Sequence, residues 1–316
     1  MARLTTRLAA ATAVLGGPFF SQAATADHAS ASAAAQPRTT IVLGRVSDDP
    51  VKHLPRMQAM AEYLAARLAP YGITKGEAIV ARDNEEMAGL LRSGRVDLFS
   101  ETVMSALFLQ ERANSEILLR EWKKGVASYR SVIFTRKDSD VRTLHDLGGR
   151  SIGFEDPGST SGFLVPFAML RDAGLAMQGL RSPRGVPGAG RVGYIFTGGE
   201  INIAAMVARG VIDAGAFSDA DWDDLERTPA KIKDQLRIVT RSTPILRSTI
   251  NVRGDLRPEI RDAVKTTLLG IADDPDAADV RKAYWKVSQF DEITGETAEE
   301  LERIRTLYRL LREQIS

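Results

Sequence analysis

The chain has 316 residues, 42 Lys and Arg against 41 Asp and Glu, 44% hydrophobic residues and no cysteine. That length suits two domains or one large one with a sizeable core, and the near-neutral charge gives no support to nucleic-acid binding. The absence of cysteine excludes disulfides and thiolate chemistry.

At the N-terminus, Arg3 and Arg7 precede an apolar run over residues 8–20, followed by Ser21-Gln22-Ala23 and Ala24-Thr25-Ala26. A positive start, a short apolar middle and small residues at the exit predict a secretory signal peptide over residues 1–23, cut after Ala23 or Ala26. The run is too short to stay as a membrane anchor. Its removal takes away two arginines and no acid, leaving 40 basic side chains against 41 acidic ones. Residues 24–37 read as a flexible leader, and the mature chain is expected in an exported compartment.

The rest alternates short apolar strands with amphipathic helices. Residues 40–44 read as a strand, 46–55 as a turn-rich loop, and Met57, Met60, Ala61, Leu64 and Leu68 as one helix face ending at Pro70. After a strand at 77–81, Asp83 caps a helix with Glu86 three residues on. A strand at 96–99 runs into Ser100-Glu101-Thr102, which opens the next helix. Strands follow at 117–119, 131–135 and 150–154, then a helix at 163–173. Residues 181–191 are rich in Pro, Gly and Arg and read as an exposed loop. Residues 192–196 form a strand, and Thr197-Gly198-Gly199-Glu200 turns into a helix over 201–208. Strands at 211–217 and 236–240 flank a charged stretch, 219–226, that reads as a solvated helix face. From Leu256 a helical tail begins, ending in a stripe of Leu301, Ile304, Leu307 and Leu311. This alternation predicts an α/β fold with mostly parallel sheets.

The stretch Gly158-Ser159-Thr160-Ser161-Gly162 sits where a strand end meets a helix start. Such a place offers unpaired N–H groups and the positive end of a helix dipole. Three hydroxyls can add donors without adding charge, so the turn suits an oxyanion. An ordinary helix cap is the other reading, and the pattern alone leaves both open. The central Thr is not the Ser of a nucleophile elbow, and no phosphate-loop Lys follows. Ser100-Glu101-Thr102 and Thr197-Gly198-Gly199-Glu200 share the design of strand end, small polar residues and helix start. In open α/β sheets ligands collect outside such strand ends.

Other chemistry finds less support. Glu155 and Asp156 are adjacent on an extended turn and point apart, which does not suit an acid–base couple. His28, His53 and His145 are far apart, two of them in loops, so no metal site is expected. Trp122, Trp222 and Trp285 read first as packing. Asp213 reads as part of a strand junction, with ligand contact as the lesser alternative. Glu101 could face a ligand or complement a helix dipole.

The segment Glu155-Asp156-Pro157-Gly158-Ser159-Thr160-Ser161-Gly162-Phe163-Leu164-Val165-Pro166 resembles the hallmark of the periplasmic phosphate/phosphite/phosphonate-binding proteins of ABC transporters. Tyr63-Leu64-Ala65-Ala66-Arg67-Leu68, the step through Gly94-Arg95-Val96-Asp97-Leu98, Tyr129-Arg130-Ser131-Val132-Ile133 and Leu144-His145-Asp146-Leu147-Gly148-Gly149-Arg150 extend the likeness. So do Gly198-Gly199-Glu200, Gly210-Val211-Ile212-Asp213-Ala214 and Ser242-Thr243-Pro244-Ile245. The resemblance covers nearly all of residues 40–312.

It implies a two-lobed, type II solute-binding protein that closes on its ligand, with no cofactor, no metal and no catalysis. Lobe 1 would hold residues 38–128 and 243–316, and lobe 2 residues 129–242. The ligand would be a phosphonate, phosphite or phosphate held by Ser159, Thr160, Ser161 and Gly162 with help from Tyr129. Ser100, Glu101, Thr102, Glu200 and Asp213 are further candidates. The implied partner is an inner-membrane ABC permease served by a monomer. Where the family commonly carries Gly-Ser-His, this chain has Gly198-Gly199-Glu200. A carboxylate facing a dianion repels it unless the carboxylate is protonated, turned away or matched by a cationic part of the ligand. An aminophosphonate, a protonated oxyanion and a different ligand therefore stay open. A sensor role toward a membrane histidine kinase, on the same fold, is the alternative function. An enzyme on that fold is a third, with no evident Lys, His or Cys to drive it.

Overall fold

The computed structural model describes residues 38–315 apart from Asp48, so the expected signal peptide and leader lie outside the described residues. In chain order, β1 (Thr40–Val46), α1 (Pro50–Arg67), β2 (Lys75–Ala81), α2 (Asn84–Arg92), β3 (Leu98–Glu101), α3 (Val103–Ala113) and β4 (Glu116–Lys123) lead to a short β5 (Ser128–Tyr129). Next come β6 (Ser131–Arg136), β7 (Ser151–Phe154), a π-helical turn (Thr160–Leu164), α4 (Val165–Asp172), β8 (Met177–Gly179) and β9 (Val192–Phe196). They are followed by α5 (Glu200–Ala208), β10 (Ala214–Ser218), α6 (Asp219–Asp223), α7 (Ala230–Lys233) and β11 (Leu236–Arg241). The chain returns through β12 (Ile245–Leu246) to β13 (Thr249–Val252), α8 (Pro258–Leu269), α9 (Ala278–Ala283), β14 (Val287–Asp291) and α10 (Glu296–Ile315).

Two six-stranded sheets result, ordered β14-β4-β13-β3-β1-β2 and β11-β6-β10-β7-β9-β8, with β5 and β12 paired antiparallel where the chain crosses between them. Each sheet is covered on both faces. In β1, Ile41 and Leu43 enter one core cluster and Val42 another, and in β6 Ile133 faces one cluster while Val132 and Phe134 face another. That is the period-two alternation of a strand with helices on both sides. Deleting a fully buried ring such as Phe134 from this packing costs roughly 3–5 kcal/mol.

The strand pairings divide into five parallel and five antiparallel across the two sheets, so both sheets are mixed rather than mostly parallel. The β–α alternation accounts for the parallel half. The antiparallel half involves β6, β11, β13, β4 and β14, the strands on either side of the two crossings and at the sheet edge. Three local expectations also change. The region read as a turn-rich loop already contains the start of α1, because Asp49 accepts the Lys52 N–H at 3.1 Å and Pro50 occupies the first turn, where it loses no hydrogen bond. His53 therefore sits on a helix, buried, and not in a loop. The tail is interrupted by β14, which extends the first sheet.

Candidate functional site

The hydroxyl turn begins at the carboxyl end of β7. Ser159 Oγ accepts the Gly162 N–H at 2.8 Å and donates to the Glu155 carboxylate at 2.7 Å. Gly162 has no Cβ because one would lie 2.7 Å from Glu155 Oε2 and 2.8 Å from Ser159 Oγ. The Leu164 N–H reaches back five residues to the Ser159 carbonyl at 3.0 Å, widening the turn into a π-helix. Such wide turns recur at functional sites, where they re-aim N–H groups. Gly158 is required for a different reason. A Cβ there would meet Ser105 Oγ at 2.6 Å and Asn84 Nδ2 at 2.8 Å, both belonging to helices of the first sheet.

The turn is thus where the two halves touch. Thr102, the cap of α3, donates to the Gly158 carbonyl at 2.7 Å, and Ser105 donates to the same oxygen at 3.2 Å. The Met104 N–H, in the first turn of α3, donates to Thr160 Oγ1 at 2.9 Å. Since Thr160 accepts there, its own hydrogen is left for another acceptor. The Ser161 carbonyl receives the Ser131 hydroxyl at 2.7 Å, and the Ser161 hydroxyl bonds to Tyr129 on the crossing strand β5. Burial pushes the Tyr129 phenol well above its usual range. All three hydroxyl residues of the turn are buried. They are not equivalent: Ser159 is engaged by the turn itself, Thr160 by the other half of the molecule, and Ser161 by Tyr129.

Carboxylates crowd the same place. After Gly199, whose φ of 142° only glycine adopts comfortably, Glu200 opens α5 and is buried, with Arg227 Nη1 3.0 Å from its carboxylate. The Gly198 N–H ties this loop to the Glu155 carbonyl at 3.0 Å. Asp221 lies on α6, its backbone N–H held by the cap Ser218 at 3.0 Å and its carboxylate taking the Ser218 hydroxyl. Burial first, then the charge of Glu200, pushes Asp221 up to about 6, against the pull of Ser218, Arg227 and Arg247. Burial, Glu200 and Asp156 together hold Glu155 well above the ordinary carboxyl range. Arg247 reaches in from β12's far end, with Nη1 on the Lys123 carbonyl at 2.7 Å. Glu155, Glu200 and Asp221 therefore face two arginines, and the nearby Asp156 adds to the acid excess.

The other predicted residues lie elsewhere. Ser100 donates to Glu121 at 2.7 Å and accepts from Lys123 at 2.9 Å. Lys123 also donates to Ser248 at 2.8 Å and pairs with Glu121 at 3.0 Å, a buried, charge-matched set at the ends of β3, β4 and β13. Burial brings Lys123 down to about 8 despite Glu121. Glu101 accepts the Val46 N–H at 2.7 Å, and burial raises it. Asp213 accepts both the N–H and the hydroxyl of Ser151 at 2.8 Å. Those two residues stand at the entry ends of β10 and β7, about 10 Å along the strand from the hydroxyl turn. Asp221, Arg227, Arg247 and Lys123 were not among the sequence candidates. Asp221 carried a usable signal, since Ser218-Asp219-Ala220-Asp221 repeats the strand-end, small-polar, helix-start design.

Two mixed α/β sheets, crossed by paired strands and meeting at strand-end loops, make a two-lobed type II periplasmic binding protein, a fold shared with PhnD1 from Prochlorococcus marinus in complex with methylphosphonate (TM-score 0.66, 18% identity, 87% of this chain and 98% of that one). The sequence profile of periplasmic phosphonate substrate-binding proteins of ABC transporters matches residues 46–298, and the chain belongs to that family. The structure of XAC2383 from Xanthomonas citri bound to chloride ion is 33% identical, with a TM-score of 0.85 over 87% of this chain and 99% of that one, and another holds ATP. The phosphate-import protein PhnD of Mycolicibacterium smegmatis is 35% identical over 144 residues, 45% of this chain and 44% of its own. The chain spans about half the length of the curated relatives it matches.

Proposed function

We propose that the protein captures, in the periplasm and as a monomer, a phosphonate that also carries an ammonium group, and delivers it to an ABC permease without chemical change. Lobe 1 comprises residues 38–128 and 243–316 and lobe 2 residues 129–242, hinged at β5 and β12. The oxyanion is received by the hydroxyls of Thr160 and Ser161, by Tyr129 and by the N–H groups of the wide turn, with the start of α3 closing over it. Ser159 shapes the turn and holds Glu155. XAC2383, whose structures hold chloride and ATP, supports a cleft that takes anions.

The observation that carries the reading is the acid excess beside the hydroxyl turn. Three carboxylates, Glu155, Glu200 and Asp221, have two arginines among them, and the charge of Glu200 adds to burial in raising the proton affinity of Glu155 and Asp221. A ligand with oxyanion alone aggravates that repulsion; one with an ammonium relieves it. Calorimetric titration of the purified protein at pH 7.5 with 2-aminoethylphosphonate, methylphosphonate, phosphite and phosphate tests this. The aminophosphonate is expected to bind at least ~10-fold tighter than methylphosphonate, as one charge-assisted contact gives. Equal or tighter binding of methylphosphonate, or no heat from any of the four, overturns it.

A further inference from the structure

Lobe 1 carries a second group of polar atoms with unfinished hydrogen bonding. Arg45, at the carboxyl end of β1, lies over the Trp285 ring at 4.8 Å, and the His53 ring stands 5.4 Å from the same indole. His53 is 8% exposed, yet its Nδ1 has no partner, and neither has the buried Arg45 Nε. Among the described residues Arg45 forms no ion pair; its Nη1 makes one long contact, 3.5 Å to the Ser100 carbonyl. Burial, then the charge of Arg45, brings His53 down to about 4, so the imidazole is neutral at pH 7 and offers an N–H rather than a charge.

The backbone beneath the Trp285 ring is held at a cost. Trp285 and Lys286 both have left-handed backbone, φ 49° and 52°, and the Lys124 N–H bonds to the carbonyls of both, at 3.3 and 3.1 Å. Side chains other than glycine, asparagine or aspartate seldom adopt that region, and such strain persists where surrounding structure enforces it. Here it lays the indole across Arg45 and His53. The neighbouring Lys123 is already satisfied by Glu121, Ser100 and Ser248, so the unmet polar atoms around Trp285 are those of Arg45 and His53 and the buried Tyr284 hydroxyl behind the indole.

Two contacts tie this group to the oxyanion turn. Arg45 contacts Ser100, and two residues on Thr102 contacts Gly158. Arg45 offers a planar fork of N–H groups, the geometry that suits a carboxylate. We infer that Arg45 and His53, over Trp285, receive a carboxylate of the same ligand, so that the natural ligand class is α-amino acids whose side chain ends in a phosphonate or phosphate. This rests on the aminophosphonate reading above and adds a third recognised group to it.

Calorimetry with 2-aminoethylphosphonate and 2-amino-3-phosphonopropionate, which differ by the carboxylate, tests the assignment on the wild type, Arg45→Ala and Arg45→Gln. A longer homologue, 2-amino-5-phosphonopentanoate, samples the distance to Arg45 and His53. In the wild type the better of the two carboxylates is expected to bind at least ~10-fold tighter than 2-aminoethylphosphonate. Both Arg45 variants should lose that advantage while binding 2-aminoethylphosphonate as the wild type does, which also shows that they fold. If the wild type binds 2-aminoethylphosphonate but neither carboxylate more tightly, the inference falls and the aminophosphonate reading stands. The same holds if the Arg45 variants weaken all the compounds alike. If no compound binds the wild type, both fall.

Discussion

Each lobe presents buried charges at its strand ends, but the two are balanced differently. In lobe 1, Glu121 and Lys123 are paired at 3.0 Å and share Ser100 and Ser248, so the charges of this set are matched within the protein, with Glu121 Oε1 alone left without a hydrogen bond. In lobe 2, Glu155, Glu200 and Asp221 outnumber Arg227 even with Arg247 reaching across from lobe 1, and the imbalance appears as raised proton affinity at Glu155 and Asp221. A paired buried set fixes geometry; an unpaired one stores a demand that protons or a cation must meet. On the reading proposed above, lobe 1 acts as frame at this level and lobe 2 as discriminator.

Breaking the frame should have the largest effect. Lys123→Met leaves Glu121 buried without its cation, and such a loss costs roughly 3–5 kcal/mol. Urea denaturation should show that fall, and Glu121→Gln combined with Lys123→Met should recover much of it. A single variant within 1 kcal/mol of wild type would mean that the pair does not hold the ends of β3, β4 and β13 together. By contrast, Glu200→Gln removes one of the crowded acids. Its fold should be nearly as stable as the wild type, while its preference for 2-aminoethylphosphonate over methylphosphonate drops about tenfold. An unchanged preference in titration would separate Glu200 from ligand discrimination.

Much of the frame could be read along the chain, because strand alternation and caps are local signals. Asp83 does accept the Glu86 N–H at 2.8 Å, Thr102 does cap α3, and β9 occupies residues 192–196 as the apolar run suggests. The early start of α1 was hidden because Pro50 and Pro55 look like breakers, although the first is at home in a helix's opening turn. The hydroxyl turn was visible as a run of three like residues. Its division of labour was not, since Met104 and Tyr129 meet Thr160 and Ser161 only after the chain has crossed between lobes. The acid group was hidden for the same reason: Glu155, Glu200 and Asp221 lie on three separate strand-end loops. The stretch read as a solvated helix face turns Trp222 into the core and Asp221 toward the other acids.

The acid imbalance also sets a pH signature. An aspartate whose folded pKa is raised above its unfolded value binds its proton more tightly when folded, so folding is most favoured below about pH 4 and loses that contribution as pH rises toward and through 6. His53, depressed to about 4, works in the opposite sense, losing stability as pH falls from 6.5 toward 4. The two overlap in the wild type, so the difference between wild type and Asp221→Asn isolates the first. Thermal unfolding without ligand should show the variant gaining on the wild type between pH 4.5 and 7.5, by about 1–3 kcal/mol. Ligand preference should run the other way. The ratio of affinities for 2-aminoethylphosphonate and methylphosphonate should grow over the same interval as the acids ionise, and a flat ratio would detach the ammonium from them.

The smallest effect is expected at Asp213, which the sequence reads first as part of a strand junction and which the fold sets at the entry ends of β7 and β10. Its carboxylate takes two hydrogen bonds from Ser151 and so fastens two neighbouring parallel strands. Asp213→Asn keeps the size and one acceptor oxygen while weakening those charge-assisted bonds, which is worth about 1 kcal/mol of stability. Affinity for 2-aminoethylphosphonate should be the same as wild type within twofold, because the acids proposed to discriminate sit beyond the opposite ends of these strands. A loss of affinity larger than the loss of stability would show that strand fastening at one end of the lobe 2 sheet sets the loop positions at the other, and the division between frame and discriminator would then run through lobe 2 itself.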